Sequence, residues 1–164
     1  MRMRRNQRLP TEEETSIHNN FFPLSDSPTP LYEFFTSLGY YKLHTNPKTW
    51  DEAKLICEKE GAHLAIINSK EEVEIVQELR RRLPKIFNNN LDDHVIVGVT
   101  DREHEGSWKS IFNQSLSETG YSEWHPNEPN GGTVENCLDL HILSGKFNDF
   151  RCNLQLPFVC EKEL

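Results

Sequence analysis

Between Trp124 and Cys152 the chain gathers oxygen donors in three places: Glu128-Pro129-Asn130, then Glu135, then Asn148-Asp149. Three of these donors are carboxylates and two are side-chain amides. Calcium takes roughly 6–8 hard oxygens at about 2.3–2.6 Å, so ligand type alone points to a calcium site. The donors are not packed into one short loop, and no D-x-D-x-D-G run is present. A site drawn from separate clusters needs a scaffold to bring them together. Cys137 lies beside the second cluster and Cys152 just after the third.

Other chemistries fail on the same residues. Glu128 and Asp149 could act as acid and base in sugar hydrolysis, but a calcium ion between them would hold both ionised and remove the acid. His104-Glu105 begins an H-E-x-x-H pattern, yet Trp108 fills the second histidine position. Gly120-Tyr121-Ser122-Glu123-Trp124 lacks the final glycine of a nucleophile elbow. The seven histidines are scattered, and His63 and His141 read as packed or surface residues. No enzyme is expected.

The scaffold is bounded by composition. A chain of 164 residues with three Trp, nine Phe and four Tyr can fill the core of one domain, with a tail to spare. A net charge of -8 argues against nucleic acid, whose phosphates are met by basic patches. No stretch approaches the ~18 apolar residues of a membrane span. The four cysteines include no C-x-x-C, so neither a zinc knuckle nor a redox pair is indicated. Their even number in a small, loop-rich chain favours two disulfides and an oxidising, extracellular compartment. Three pairings are open at this point, and four free thiols in a cytosolic protein is the competing reading. The basic start, Met1-Arg2-Met3-Arg4-Arg5, is not followed by the ~7–15 apolar residues of a secretion signal. A secreted chain is therefore expected to have an incomplete or misassigned N-terminus.

Along the chain, residues 1–36 read as a disordered or extended tail: polar from Thr11 to Asn20, then Pro23, Pro28 and Pro30. Phe21-Phe22 and Phe34-Phe35 either dock on the domain or hang loose. The domain takes residues 37–164. Tyr40-Tyr41-Lys42-Leu43 suits a strand. Thr49-Trp50-Asp51-Glu52 forms a capping box ahead of a helix that aligns Trp50, Ala53 and Cys57 and stops at Gly61. Ser69-Lys70-Glu71-Glu72 reads as a second box, opening a helix that buries Val73, Val76 and Leu79. That helix ends in Arg80-Arg81-Arg82, which either answer the helix dipole or contact an anionic ligand. Val95 to Val99 reads as a buried strand, Asn136 to His141 as an alternating one and Pro157 to Cys160 as the closing one. Thr100 to Gly132 shows little regular pattern. A loop that long is expected to be functional and held by calcium and a disulfide. Asn113-Gln114-Ser115 is a glycosylation sequon on it.

Together these features resemble the C-type lectin-like domain over roughly Gly39 to Glu161. The matching parts are the aromatic opening strand, two capped helices, Val97-Gly98-Val99, Gly106-Ser107-Trp108, the Glu-Pro-Asn triplet and cysteines in family order. Within the family the chain is most similar to insect haemolymph lectins of the lipopolysaccharide-binding type. The resemblance implies an α+β fold, two helices on small antiparallel sheets, with disulfides Cys57–Cys160 and Cys137–Cys152. It implies a principal calcium and sugar site at Glu128, Asn130, Glu135, Asn148 and Asp149, with a cis Glu128–Pro129 bond. Acids that accept and amides that donate would alternate around two sugar hydroxyls. Glu-Pro-Asn resembles the mannose, fucose and glucose type, whereas Gln-Pro-Asp resembles galactose binders. An auxiliary calcium site would use Asp101, Glu105, Glu135 and the Asn136 carbonyl, but Gly131 falls where calcium-replete members carry an acid. Phe147 stands where the family usually has Trp, and is expected to pack in its place. The expected partners are carbohydrate, microbial surface glycans and lipopolysaccharide, with clustering in an oligomer. The alternative is a calcium-independent protein-interaction module on the same fold.

Overall fold

Aromatic and apolar residues on alternate positions make Gly39–Lys48 (β2) the strand that ties the ends of the domain together. In this computed structural model, which describes residues 31–164, β2 pairs antiparallel with the last strand, β8 (Leu156–Lys162). Tyr41 lies opposite Glu161 and Leu43 opposite Val159. A short strand β1 (Glu33–Phe35) adds to the free edge of β2. It falls inside the stretch read from sequence as tail. Phe35 packs against the core, and Phe34 lies against Tyr40 at 5.1 Å between ring centres. Phe21 and Phe22 lie outside the described residues.

The remaining strands are β3 (His63–Leu64), β4 (His94–Thr100), β5 (Lys109–Ser110), β6 (Cys137–His141) and β7 (Lys146–Phe150). The sheet runs β1-β2-β8-β4-β6-β7, with β3 beside β8 and β5 beside β4. Helices α1 (Trp50–Lys59) and α2 (Lys70–Arg81) pack on it. This is the expected α+β arrangement. Both disulfides take the expected pairing: Cys57–Cys160 joins α1 to β8, and Cys137–Cys152 joins β6 to the turn after β7.

Local signals explain the helices. Thr49 caps α1 in a complete box with Glu52, Trp50, Ala53 and Cys57 are buried, and the Trp50 indole donates to the Val97 carbonyl at 3.0 Å. Gly61 ends the helix region with φ +71, a conformation that favours glycine. The second box is only half built. Ser69 accepts from the Glu72 amide, but the Glu72 carboxylate turns inward to accept from the Tyr41 hydroxyl at 2.9 Å and from the Asn68 amide.

The arginine run serves the fold. Arg80, 5% exposed, pairs with Asp92 at 3.0 Å, and Asp92 also accepts from the Ile86 and Phe87 amides, which shapes the turn after α2. Arg82 meets Glu33 at 3.0 Å, and Arg81 donates to the Gln77 carbonyl. Two of the three guanidinium groups are thus matched by carboxylates, Arg80 in a buried pair and Arg82 in an exposed one.

Inside the core, Glu161 and Glu72 share the Tyr41 hydroxyl, with Glu161 3% exposed. Burial, then the Glu72 charge, push Glu161 up to about 7. A carboxyl raised on folding contributes stability that is full below its ordinary range and is lost as pH rises through the folded value. Glu161→Gln should therefore gain on the wild type between pH 5 and pH 8, on the order of 1–3 kcal/mol. Thermal melts in chelator at the two pH values measure it; a stability difference that does not change with pH would refute the assignment.

Candidate functional site

The site is assembled by the β6–β7 hairpin and the loop that crosses it. In the hairpin register Asp139 lies opposite Asn148, and Leu138 opposite Asp149. The crossing loop is laced to β7 by backbone bonds, His125 N to Phe147 O and Phe147 N to Glu123 O, both 2.8 Å. Phe147, 1% exposed, packs edge-on against Tyr121 and Trp124, so it fills the place expected of it. Further along, the Asp149 carboxylate accepts from the backbone amides of Asn130 at 3.1 Å and Gly131 at 2.8 Å. That carboxylate, 2% exposed, fastens the Glu-Pro-Asn triplet over the end of β7. The Glu128–Pro129 bond is cis.

Five residues from three separate sequence clusters thereby meet. Glu128, Asn130, Glu135, Asn148 and Asp149 all line one cleft of about 490 Å³. The Asn130 amide nitrogen donates to Glu128 Oε1 at 3.0 Å, while Glu128 Oε2 is buried without a hydrogen-bond partner. Burial and then the Asp149 carboxylate push Glu128 up to about 8, with Glu135 and Asp139 adding to the effect. Glu135 is raised too, by burial and then by Asp149, against the pull of Arg151. Carboxylates crowded in this way disfavour their own ionisation. A hard divalent cation relieves that repulsion and takes up the orphaned oxygen, so the donor set fits calcium.

Sequence reasoning missed two members of the cleft, Asp139 and His94. Asp139 is fully buried; one oxygen meets His94 Nδ1 at 2.6 Å and the other accepts from Asn148 Nδ2 at 2.9 Å. Burial lowers the His94 imidazole, but the Asp139 carboxylate outweighs it and the ring ends above its ordinary value. The available signal was a carboxylate two residues after Cys137 in an otherwise apolar strand segment, on the same face as the cysteine.

At the auxiliary position, Asp101 is 2% exposed; one oxygen accepts from the Gly106 amide at 2.8 Å and the other has no partner. Burial raises Asp101 and Glu105, and the charge of Asp101 raises Glu105 further. Asn136 does not join them as expected. Its carbonyl already accepts from the Thr100 hydroxyl at 2.6 Å and the Asp101 amide at 3.1 Å, where β4 and β6 shift register. Gly131 has no room for an acid either, since a Cβ there would fall on the Glu135 side chain. Asn113 lies exposed in a turn at φ +62. Elsewhere among the described residues, His44, Glu60 and Cys160 come close together, but Cys160 is in a disulfide and Glu60 already bonds Tyr32 and Lys42.

Comparison with known proteins places this geometry. The family profile "Lectin C-type domain" matches residues 46–162. The hemolymph lipopolysaccharide-binding protein of Periplaneta americana is 44% identical over 137 residues, covering 82% of this chain. The chain spans 53% of that relative's length. The mouse scavenger receptor C-type lectin carbohydrate-recognition domain superposes with a TM-score of 0.67 at 29% identity, covering 82% of this chain and 96% of the other. A calcium-independent type II antifreeze protein shares the fold at TM-score 0.67 and 21% identity, covering 82% of this chain and 93% of the other.

Proposed function

The chain belongs to the family of C-type lectin domains, and from that premise we propose that it is an extracellular, calcium-dependent module that binds sugars of the mannose, fucose and glucose type. As a member of this family it is a binding domain and not an enzyme. The observation that carries the reading is the convergence of Glu128, Asn130, Glu135, Asn148 and Asp149 on one cleft, with a buried Glu128 oxygen left unpartnered. Those five residues would hold calcium, which when bound supplies a Lewis-acid centre for two neighbouring sugar hydroxyls. The side chains do the selecting. Glu128 and Glu135 accept from a hydroxyl, while the Asn130 amide donates to one and Asn148 offers its oxygen to the cation, and this order around the ring favours the mannose type over galactose. Asp149 holds the loop in place through the Asn130 and Gly131 amides.

The natural ligands we propose are microbial surface glycans, lipopolysaccharide among them; the likeness to the hemolymph lipopolysaccharide-binding protein of Periplaneta americana supports this. A single shallow site of this kind binds weakly, and clustering of sites supplies useful avidity through effective concentration. Two disulfides suit an oxidising extracellular setting, and among the described residues no helix is long and apolar enough to cross a membrane. The second reading is a calcium-independent protein-interaction module; a calcium-independent antifreeze protein of the same fold shows only that the fold itself does not require the ion. Retention on a mannose column in calcium and release by chelator separates the two.

A further inference from the structure

A carboxamide that serves a cation must present its oxygen, yet its two orientations differ only by exchange of O and NH2. For Asn148 the surroundings decide between them. Its Nδ2 donates to Asp139 Oδ2 at 2.9 Å and to the Asp149 main-chain carbonyl at 2.8 Å. A carboxylate and a carbonyl can only accept. Turned over, the Asn148 oxygen would face both at those distances, so the flipped amide is disfavoured and Oδ1 is left for the cleft. Asp139 is itself held fast. It is 0% exposed, its other oxygen is taken by His94 Nδ1 at 2.6 Å, and strand pairing sets it opposite Asn148.

We propose that Asp139 is a positioning residue for the cleft: its buried carboxylate locks the Asn148 carboxamide with the oxygen facing the cation, and His94 anchors that carboxylate. The proposal rests on the calcium reading of the cleft. It assigns a use to a charged group that lies outside the five donors and is fully buried. An asparagine at 139 has nearly the same shape but can donate, so it removes one of the two acceptors that fix Asn148 and leaves only the Asp149 carbonyl to hold its orientation. Outer partners that orient a metal ligand typically alter affinity by 10–100-fold.

The test compares wild type with Asp139→Asn. Calcium titration should show at least a tenfold weaker affinity in the variant, at a temperature where melts in chelator show both proteins fully folded. Calcium-free wild-type protein gives a second readout by NMR. The Asn148 side-chain NH2 protons should exchange with solvent far more slowly than those of exposed Asn113, and this protection should fall in the variant. Equal calcium affinities in wild type and variant would overturn the positioning role. Wild type that binds no calcium would instead remove the functional reading, and the Asn148 exchange rates would still report on the lock. If the variant fails to fold, the wild-type exchange rates decide: protons as labile as those of Asn113 sink the proposal.

Discussion

Asp149→Ala should abolish the response of this fold to calcium. The Asp149 carboxylate is one of the three among the five proposed donors, and it also takes the backbone amides of Asn130 and Gly131. Removing it deletes a donor and frees the loop that carries Glu128 and Asn130. In the wild type, calcium at 100 times its dissociation constant adds about 2.7 kcal/mol to the folded state. For a domain of this size that is a rise in Tm of roughly 5–15 °C. The variant should show no rise. In chelator it should also melt below the wild type, because two amides lose their acceptor, an effect on the order of 1–3 kcal/mol. Melts of both proteins in millimolar calcium and in chelator measure this. A variant that keeps the full calcium shift would remove Asp149 from the site.

The second large effect concerns the disulfides. Cys57 and Cys160 stand 103 residues apart in sequence, and their bond closes nearly the whole domain. Chain entropy assigns such a closure roughly 4–5 kcal/mol, against roughly 3 for the 15-residue separation of Cys137 and Cys152. Cys57 and Cys160 are both fully buried between α1, β3 and β8, so alanine is the replacement that adds no buried polar group. Cys57→Ala with Cys160→Ala should lower Tm by roughly 15 °C or more. Cys137→Ala with Cys152→Ala should cost less stability but more calcium affinity, since that bond tethers the start of β6 two residues after Glu135. Denaturant melts and calcium titrations of the two double variants give both rankings. A reversed order in either would contradict the division of labour drawn here between a bond for the fold and a bond for the site.

What was legible in the sequence was mostly local. Thr49 and Ser69 announce their helices because capping depends on residues three apart, and Trp50, Ala53 and Cys57 share a face by helical period alone. The five oxygen donors were legible as types, and their convergence depends on the β6–β7 register and on a loop laced to β7. The contacts that escaped are those between elements. Nothing near Arg80 in the chain announces that Asp92 will neutralise it, so the arginine run looked available for an anion. Glu72 looked like a capping residue because its distant partners, Tyr41 and Glu161, come from the first and last long strands. Asp139 read as one polar position in an alternating strand, and its value appears only once β7 sets Asn148 across from it. The Asn136 carbonyl looked free until the β4–β6 register shift brought Thr100 and Asp101 onto it.

The most direct test of the central claim is passage of the wild-type protein over immobilised mannose in calcium, followed by chelator and, separately, by free mannose and free galactose. Retention in calcium, with release by chelator and by mannose but not by galactose at the same concentration, is the result this account predicts. Passage straight through in calcium, or retention that chelator does not release, would contradict it and turn attention to a protein partner.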